Sequence, residues 1–213
     1  DRLKASEMLL ERWDPIRRRW IMYRTQEEHS ADCEKYPIEA VPQRIFLDTN
    51  VVNLMVKQRT SVFEQEPIPD TLEREAAIDT EALMHITSMA FRANWTMVVS
   101  AKTIEEISQT VDDVVRDDLL DYAFEAVHND PEDAAYAADL GRRLADSTLI
   151  AALPDRNDRE LLGNAIAFGC DVFCTRDHRT IVRKRDALPQ LPLRILTPRE
   201  WWFHVKPWGG LLV

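Results

Sequence analysis

The pattern of hydrophobic and polar positions predicts short strands that alternate with helices. Ile45, Phe46 and Leu47 form an apolar run without polar alternation, which is typical of a strand buried on both faces of a parallel sheet. Further strands are predicted at 95–99, 171–174 and 193–196, and helices at 71–92, 112–128, 130–149, 158–168 and from 198 onward. This alternation predicts an α/β fold, a three-layer α/β/α sandwich with a mainly parallel central sheet.

The beginning of the chain has a different pattern. Residues 1–23 carry apolar side chains at helical spacing, interrupted by Pro15, which predicts two short helices or one kinked helix. Residues 26–42 are rich in charge and end in prolines, so we expect a linker there. The chain is therefore divided into a helical N-terminal extension with its linker, residues 1–42, and a domain of residues 43–213.

Two of the predicted strands run directly into polar residues. In open α/β sheets, ligand sites lie just beyond the carboxyl ends of the strands. These positions hold Asp48, Thr49 and Asn50 after the first strand and Thr175, Arg176 and Asp177 after the strand at 171–174. A different interpretation is that Asp48 or Thr49 only caps the helix that starts near Asn50.

Two predicted helices carry further acids. Ser100 opens the first of them, and we expect it to be an N-cap rather than a nucleophile because no histidine stands nearby in the sequence. Glu106 follows on the same helix, together with Thr103. Asp158 opens the second helix, which carries Ala165 two turns later.

These four segments resemble the PIN domain, a family of metal-dependent ribonucleases that includes the toxins of many bacterial toxin–antitoxin pairs. The family pattern is a strand ending in Asp-Thr-Asn, a Ser-x-x-Thr-x-x-Glu helix, an Asp that opens a helix with an alanine about two turns on, and a strand ending in Thr-Arg-Asp or Thr-Gly-Asp. The same elements occur here in that order, over roughly residues 44–201. The long N-terminal extension and a wider gap between the first and second acids depart from the pattern.

The resemblance implies a catalytic role for each of four acids. Asp48 and Asp177 would be direct ligands of a divalent metal ion. Glu106 and Asp158 would bind the metal directly or through water, or would orient the attacking water. Carboxylates that cluster repel one another and are costly to bury without a cation. Ligands that are all oxygen favour Mg²⁺ or Mn²⁺ over zinc.

Other residues would support these acids or compete with them for the same roles. Asn50 and Thr175 are expected to hold the carboxylates by hydrogen bonds. Glu105 is the alternative to Glu106, on a different face of the helix. Asp155 is the alternative to Asp158, although the seven-residue step to Ala165 favours Asp158.

The expected activity is hydrolysis of RNA phosphodiester bonds, which the resemblance implies would leave a 5′-phosphate and a 3′-hydroxyl. A haloacid-dehalogenase phosphatase also begins with an Asp at a strand end. That chemistry needs a second acid two residues on, where this chain has Asn50. The alternative from another class is a catalytically silent PIN-like module that binds RNA or protein.

The formal net charge of −10 argues against a protein that coats nucleic acids in general. Residues 155–185 nevertheless hold seven basic and five acidic side chains, and we expect this local excess to meet the phosphates. Helical spacing would put Arg179 and Arg183 on one face. An ordinary solvated rim is the other interpretation. The residues expected to bind RNA are Arg156, Arg159, Arg176, Arg179 and Arg183.

Composition bears on location and partners. The chain has no apolar run of about eighteen residues, so no membrane span is expected. It begins without a signal-peptide pattern and without a methionine, so the natural N-terminus is expected upstream. Cys33, Cys170 and Cys174 are expected to be free thiols in a reducing cytoplasm. RNA is the expected substrate. The sequence leaves open whether the protein binds an antitoxin or another protein partner, and whether it forms a homodimer.

Overall fold

The chain forms two compact units in the computed structural model, which describes residues 13–14, 19–20, 25–126 and 131–209. Among the described residues, the helical unit comprises residues 13–14, 19–20, 25–42, 58–95 and 198–209, and the sheet unit comprises residues 43–57, 96–126 and 131–197. Among the described residues, no helix combines the length and the apolar character that crossing a membrane requires.

The strands and helices of the described residues are numbered in chain order. The strands are β1 (Trp13–Asp14), β2 (Arg19–Trp20), β3 (Arg44–Leu47), β4 (Thr96–Val98), β5 (Val172–Cys174) and β6 (Arg194–Leu196). The helices are α1 (Gln26–Lys35), α2 (Thr49–Lys57), α3 (Arg59–Val62), α4 (Arg74–Ala93), α5 (Ala101–Ser108), α6 (Asp113–Ala126), α7 (Pro131–Ala145), α8 (Arg156–Ala167) and α9 (Pro198–Val205). Short 3-10 helices cover Ile38–Ala40, Thr148–Ile150, Val182–Ala187 and Lys206–Trp208.

The sheet unit is built on a four-stranded parallel sheet with the strand order β4-β3-β5-β6. Phe46 in β3 pairs in register with Val98 in β4 and with Phe173 in β5. The rings of Phe46 and Phe173 stack with their centroids 5.4 Å apart. The mixed α/β class and the parallel sheet predicted from the sequence are therefore confirmed.

Helix α8 covers part of this sheet. Its apolar stripe of Leu161, Leu162 and Ala165 is buried in one cluster with Phe46 and Phe173. Full burial of a side chain such as leucine contributes about 1.5–3 kcal/mol relative to leaving it exposed. The same stripe fixes the rotation of α8 about its axis, so it also decides where the first turn of the helix points.

Helices α7 and α8 approach each other at backbone distance. A Cβ atom added to Gly163 would lie 2.7 Å from the Cα of Gly141, and one added to Gly141 would lie 2.1 Å from Oδ1 of Asn164. Side chains cannot fit between the helices at this point. The two glycines therefore set the separation of α7 and α8.

The helical unit is held together by aromatic side chains. His85 of α4 stacks on Trp202 of α9 with centroids 4.7 Å apart, and Trp95 meets Trp201 edge-on at 5.8 Å. The indole N–H of Trp208 donates to the carbonyl oxygen of Tyr36 at 2.8 Å. These contacts join segments that are far apart in the sequence.

The predictions for the N-terminal segment are wrong where the structure describes it. Trp13 pairs antiparallel with Trp20, so β1 and β2 are extended where helix was predicted. A seven-residue spacing fits two turns of a helix as well as two facing positions of a hairpin. The rest of residues 1–24 lies outside the described residues.

The predicted linker contains helix α1. The Thr25 hydroxyl caps this helix by accepting from the amide of Glu28 at 3.1 Å, and Lys35 lies in its last turn. No residue of α1 is buried. A helix without an apolar face has no hydrophobic periodicity, so its sequence pattern predicts a linker rather than a helix.

We predict that Gly163→Ala destabilises the protein. Alanine favours a helix by about 1 kcal/mol over glycine, but overpacking at this contact costs typically 1–3 kcal/mol. The free energy of unfolding, measured by urea titration, should therefore fall. Ala135→Gly at an exposed position of α7 measures the propensity term alone. A Gly163→Ala protein more stable than the unmodified chain would contradict the close approach of the helices.

Candidate functional site

Four carboxylates from four separate elements converge at one edge of the parallel sheet. Asp48 directly follows β3, and Asp177 lies shortly after β5. Glu106 lies on α5, and Asp158 lies in the first turn of α8. The charges of Asp158 and Glu106 act on Asp48, and the charge of Asp177 acts on Asp158. The structure thus brings together the four acids that the sequence singled out.

Asp48 is buried, with 4% of its surface exposed. Its Oδ2 accepts hydrogen bonds from the Thr175 hydroxyl at 2.5 Å and from the Asn50 amide at 2.6 Å. Burial raises the pKa of Asp48 to about 7, and the charges of Asp158 and Glu106 act in the same direction against the Thr175 hydrogen bond. Asp48 also immediately precedes α2, so it occupies the capping position in addition to lying among the acids.

Asn50 and Thr175 join the ends of β3 and β5. The Asn50 Oδ1 accepts from the amide of Arg176 at 2.8 Å, while its Nδ2 donates to Asp48. The Thr175 hydroxyl accepts from the amide of Asp177 at 3.0 Å and donates to Asp48. Each side chain thus connects one acidic residue to the loop that carries the next.

Glu106 faces the other acids and Glu105 does not. The Thr49 hydroxyl donates to Oε2 of Glu106 at 2.5 Å. Burial raises the pKa of Glu106, and the Thr49 hydrogen bond and the charge of Lys102 oppose the rise. Glu105 has an exposed side chain that pairs with Lys102 at 3.2 Å. Of the two alternatives, Glu106 therefore lies at the sheet edge.

Ser100 is the N-cap of α5, as predicted. Its hydroxyl accepts from the amide of Thr103 at 3.3 Å, and the Thr103 hydroxyl accepts from the amide of Ser100 at 3.4 Å. The Asn164 side-chain amide donates to the same Ser100 hydroxyl at 3.0 Å. This capping box fixes the start of α5, and Glu106 lies on the second turn of the same helix.

Asp155 caps helix α8, whereas Asp158 is one of the four acids at the sheet edge. Helix α8 begins at Arg156, earlier than predicted, because the exposed Asp155 caps it by accepting from the amide of Asn157 at 2.9 Å. Asp158 is half-buried, and burial raises its pKa to about 6. Its Oδ2 lies 2.8 Å from the Thr180 hydroxyl.

Asp177 is the acid that keeps its charge most readily. Burial tends to raise its pKa, but hydrogen bonds from the hydroxyl and amide of Thr180 and from the amide of Arg179, with the Arg179 charge, outweigh burial and lower it. The amides of Arg179 and Thr180 donate to Oδ1 at 2.9 Å and 2.7 Å. A carboxylate that accepts several amide hydrogen bonds stays ionised.

The Thr180 hydroxyl contacts two carboxylates at once. It lies 2.6 Å from Oδ2 of Asp177 and 2.8 Å from Oδ2 of Asp158. A hydroxyl carries one proton and can donate to only one acceptor at a time. The second contact is therefore a hydrogen bond only when that carboxyl is protonated and donates to the hydroxyl oxygen. The pKa of Asp158 is raised and that of Asp177 is lowered, so Asp158 is the first of the two to take up a proton as the pH falls.

Thr49 and Thr180 were not assigned roles in the site from the sequence. Thr49 belongs to the Asp-Thr-Asn motif, but the sequence predicts only a capping role for it. Thr180 stands three residues after Asp177, which is the spacing of a side chain that caps a turn. That spacing is a sequence signal from which the role of Thr180 could have been predicted. The sequence gives no such signal for Thr49, because its contact with Glu106 joins residues 57 positions apart.

The five arginines expected to meet RNA are not equivalent. Arg156 pairs with Asp146 at 3.1 Å and with Glu160 at 3.5 Å, and the guanidinium of Arg159 donates to the carbonyl oxygens of Pro154 and Asp155. Arg176 is half-buried in the loop after β5.

Arg179 and Arg183 lie outside any α-helix. Arg179 is in a turn, and Arg183 is in the 3-10 helix Val182–Ala187. The prediction that α-helical spacing puts both arginines on one face is therefore wrong. A 3-10 helix repeats every three residues rather than every 3.6. Both arginines are exposed, and neither forms an ion pair with a described residue.

The described residues contain no ready-made group of three or more His, Cys, Asp or Glu side chains that could hold a metal ion. A threonine hydroxyl lies within hydrogen-bond distance of each of the four carboxylates.

Comparison with known proteins gives no match: no family model, no curated protein and no solved structure is significantly similar to the chain.

We predict that Asp48 makes the metal-free protein less stable as the pH rises. Its folded pKa of about 7 lies above the ordinary value of 3.8, so the folded state binds more protons than the unfolded state between these values. The free energy of unfolding should fall across this interval, by on the order of 4 kcal/mol at about 1.4 kcal/mol per pH unit.

Urea titrations in EDTA between pH 4 and pH 8 measure this effect as the difference between the unmodified chain and Asp48→Asn. The exposed Asp121→Asn serves as the control, because it should follow the unmodified chain at every pH. If the Asp48→Asn curve ran parallel to that of the unmodified chain, Asp48 would not be the group that titrates.

Proposed function

We propose that this chain is a divalent-metal-dependent endoribonuclease of the PIN class, with a three-layer PIN-like fold around its parallel sheet. Asp48, Glu106, Asp158 and Asp177 are its catalytic residues. The observation that carries the proposal is the convergence of these four carboxylates, all partly or fully desolvated, beyond the carboxyl ends of adjacent parallel strands.

The state of the carboxylates supports a cation at this edge. Three of them have raised pKa values because burial disfavours their charged forms. Bringing a cation close would lower these pKa values and would stabilise the ionised carboxylates. Asp177, which stays ionised, would be the anchoring ligand, and Asp48 would be the second ligand.

The donor set fits Mg²⁺ or Mn²⁺. Carboxylate oxygens are hard ligands, which both ions prefer. Mg²⁺ keeps several waters and is commonly held by one or two carboxylates together with substrate phosphates, so a preformed cage of three side chains is not required. A bound ion of this kind neutralises charge on the phosphoryl oxygens and lowers the pKa of water.

The side chains divide the remaining tasks. Burial raises the pKa values of both Glu106 and Asp158, which suits groups that orient an attacking water and accept its proton. Asn50 and Thr175 keep Asp48 oriented through their hydrogen bonds. Hydrolysis in this arrangement would leave a 5′-phosphate and a 3′-hydroxyl. Arg179 and Arg183 would contact the phosphates of the RNA.

A PIN-like module that binds RNA or protein without cleaving is the second candidate. One observation favours it: Asp48, Glu106, Asp158 and Asp177 all have a threonine hydroxyl within hydrogen-bond distance. A carboxylate that is already hydrogen-bonded can be a structural feature. The two candidates differ in whether RNA is cleaved in the presence of metal.

We predict that Asp48→Asn and Asp177→Asn each abolish cleavage of single-stranded RNA in Mg²⁺ or Mn²⁺. Each substitution removes a ligand charge while keeping the shape of the side chain. Metal should raise the melting temperature of the unmodified chain relative to EDTA, since a ligand that binds the native state stabilises it. Asp48→Asn should show a much smaller shift.

Glu105→Gln is the matched control for Glu106→Gln. The two residues are neighbours on α5, but only Glu106 contacts Thr49. Glu106→Gln should reduce the cleavage rate at least tenfold, and Glu105→Gln should retain cleavage. A metal-independent melting temperature together with uncleaved RNA would favour the binding module over the nuclease.

We predict that the double variant Arg179→Ala/Arg183→Ala binds RNA more weakly and with a flatter salt dependence. For each phosphate that the variant no longer neutralises, the slope of log affinity against log salt should decrease by roughly 0.7 for a single strand. Fluorescence anisotropy with a labelled oligonucleotide measures the slope.

The matched control is Arg116→Ala/Arg143→Ala, which removes two arginines already engaged with Asp113 at 2.6 Å and Asp139 at 2.7 Å. Its slope should equal that of the unmodified chain. If the slope of log affinity against log salt for Arg179→Ala/Arg183→Ala equals that of the control, these arginines face solvent or a protein partner and do not contact RNA.

A further inference from the structure

The side chain of Thr180 joins two acids that come from different elements. Asp158 lies in the first turn of α8, and Asp177 lies in the loop after β5. The Thr180 hydroxyl is 2.8 Å from Oδ2 of Asp158 and 2.6 Å from Oδ2 of Asp177. The two carboxylate oxygens therefore cannot be farther apart than the sum of these two distances.

The backbone of the loop after β5 fixes the position of the Thr180 hydroxyl. The amides of Arg179 and Thr180 donate to Oδ1 of Asp177 at 2.9 Å and 2.7 Å. The amide of Val182 donates to the carbonyl oxygen of Asp177 at 2.9 Å. Ile181 follows Thr180 directly and is 1% exposed in the hydrophobic cluster of the sheet unit. The hydroxyl is thus held between this core and the Asp177 carboxylate.

The carboxylate of Asp158 depends on Thr180 for its orientation. The buried apolar stripe of α8 fixes the backbone of Asp158 but not its side chain. Within the described part of the chain, Thr180 supplies the hydrogen-bond contact of this carboxylate. Its ionised form is disfavoured by the charges of three neighbouring acids, Asp155, Asp177 and Glu106. Without the hydroxyl, this repulsion would turn the ionised Asp158 side chain away from Asp177.

The contacts of the other two acids are different. Asp48 accepts from the Thr175 hydroxyl, and Glu106 accepts from the Thr49 hydroxyl. Each of these two hydroxyls lies at the oxygen of one carboxylate. The Thr180 hydroxyl lies at two, so its loss would change the relation between two acids rather than the surroundings of one.

A cation at this edge changes what the Thr180 hydroxyl can do. Two ionised carboxylates compete for its single proton. A cation bound by Asp177 would satisfy that carboxylate, so the hydroxyl could donate to Asp158. Hydrogen bonds of this kind orient the groups around a metal ion, and removing one typically costs ten- to a hundredfold in metal affinity or activity.

We propose that Thr180 is a positioning residue whose hydroxyl holds the carboxylate of Asp158 toward a divalent cation at Asp177; this inference rests on the proposed function. Thr180 acts through Asp158 and contacts neither the cation nor the RNA. Its removal should therefore weaken cation binding, and a side chain that restores the hydroxyl should restore the binding.

The affinity for Mn²⁺, measured from the electron paramagnetic resonance signal of the free ion, tests the inference without relying on cleavage. Thr180→Val keeps the shape of the side chain and removes the hydroxyl, so the dissociation constant should rise roughly tenfold or more. Thr180→Ser keeps the hydroxyl and should restore most of the affinity. Weak binding by both variants would assign the effect to packing and overturn the inference.

Thr80→Val is the matched control. Thr80 is buried in the helical unit, and its hydroxyl donates to the carbonyl oxygen of Ala76 at 2.7 Å rather than to a carboxylate. This variant should bind Mn²⁺ as tightly as the unmodified chain. Circular dichroism in EDTA verifies that each variant is folded, and Thr180→Ala replaces Thr180→Val if the valine variant does not fold.

A double-mutant cycle shows whether Thr180 acts through Asp158. In an Asp158→Ala protein the carboxylate is absent, so adding Thr180→Val should cause no further loss of Mn²⁺ affinity. A further loss as large as that in the unmodified chain would mean that the hydroxyl acts by another route, and it would overturn the inference.

Cleavage of single-stranded RNA in Mn²⁺ separates the inference from the proposed function. Cleavage by the unmodified chain, with equal Mn²⁺ affinity in Thr180→Val, would overturn the positioning role and leave the nuclease proposal standing. Weaker Mn²⁺ binding by Thr180→Val, with serine rescue but without cleavage by the unmodified chain, would support the positioning role and overturn the nuclease proposal. Absence of Mn²⁺ binding by the unmodified chain would overturn both.

Discussion

Burial of the Asp48 carboxylate is the constraint on which the site depends. Its position directly after β3 places a charge where the sheet, α2 and the loop after β5 meet. A lone carboxylate cannot stay ionised there at low cost. Hydrogen bonds from Thr175 and Asn50 offset part of that cost. The part that they do not offset raises the pKa of Asp48. The ends of β3 and β5 are held in register by the same contacts, so the fold and the electrostatics of the site have one origin.

The elements with a strong hydrophobic signal were predictable. Strand β3 and helix α8 have continuous or periodic apolar positions, and the packing of Phe46 and Leu161 in one core follows from them. Three of the acids could be named because Asp48 and Asp177 follow such strands and Asp158 opens such a helix. Glu106 lies within a helix and was named from its spacing to Ser100 and Thr103 in the resembling pattern. Helix α1 was missed because it buries nothing, and β1 and β2 were missed because the spacing of Trp13 and Trp20 suits two structures equally.

Contacts between distant side chains are the part that a single sequence does not supply. Thr49 reaches Glu106 and Thr180 reaches Asp158 only because strand order places α5 and α8 beside the loops after β3 and β5. Such distances follow from packing, and periodicity carries no information about them.

The sign of the charge at the site helps to distinguish the two proposed functions. A surface that only bound RNA would present cations to the phosphates, whereas four carboxylates repel them. Buried acids are also a poor device for stability, because well-packed apolar residues are often as stabilising or more so. The cost of desolvating Asp48 and Asp158 would be useful only when something positive is recruited. A cation held between carboxylates and phosphate would turn that repulsion into attraction, which favours the nuclease over a module that binds RNA without metal.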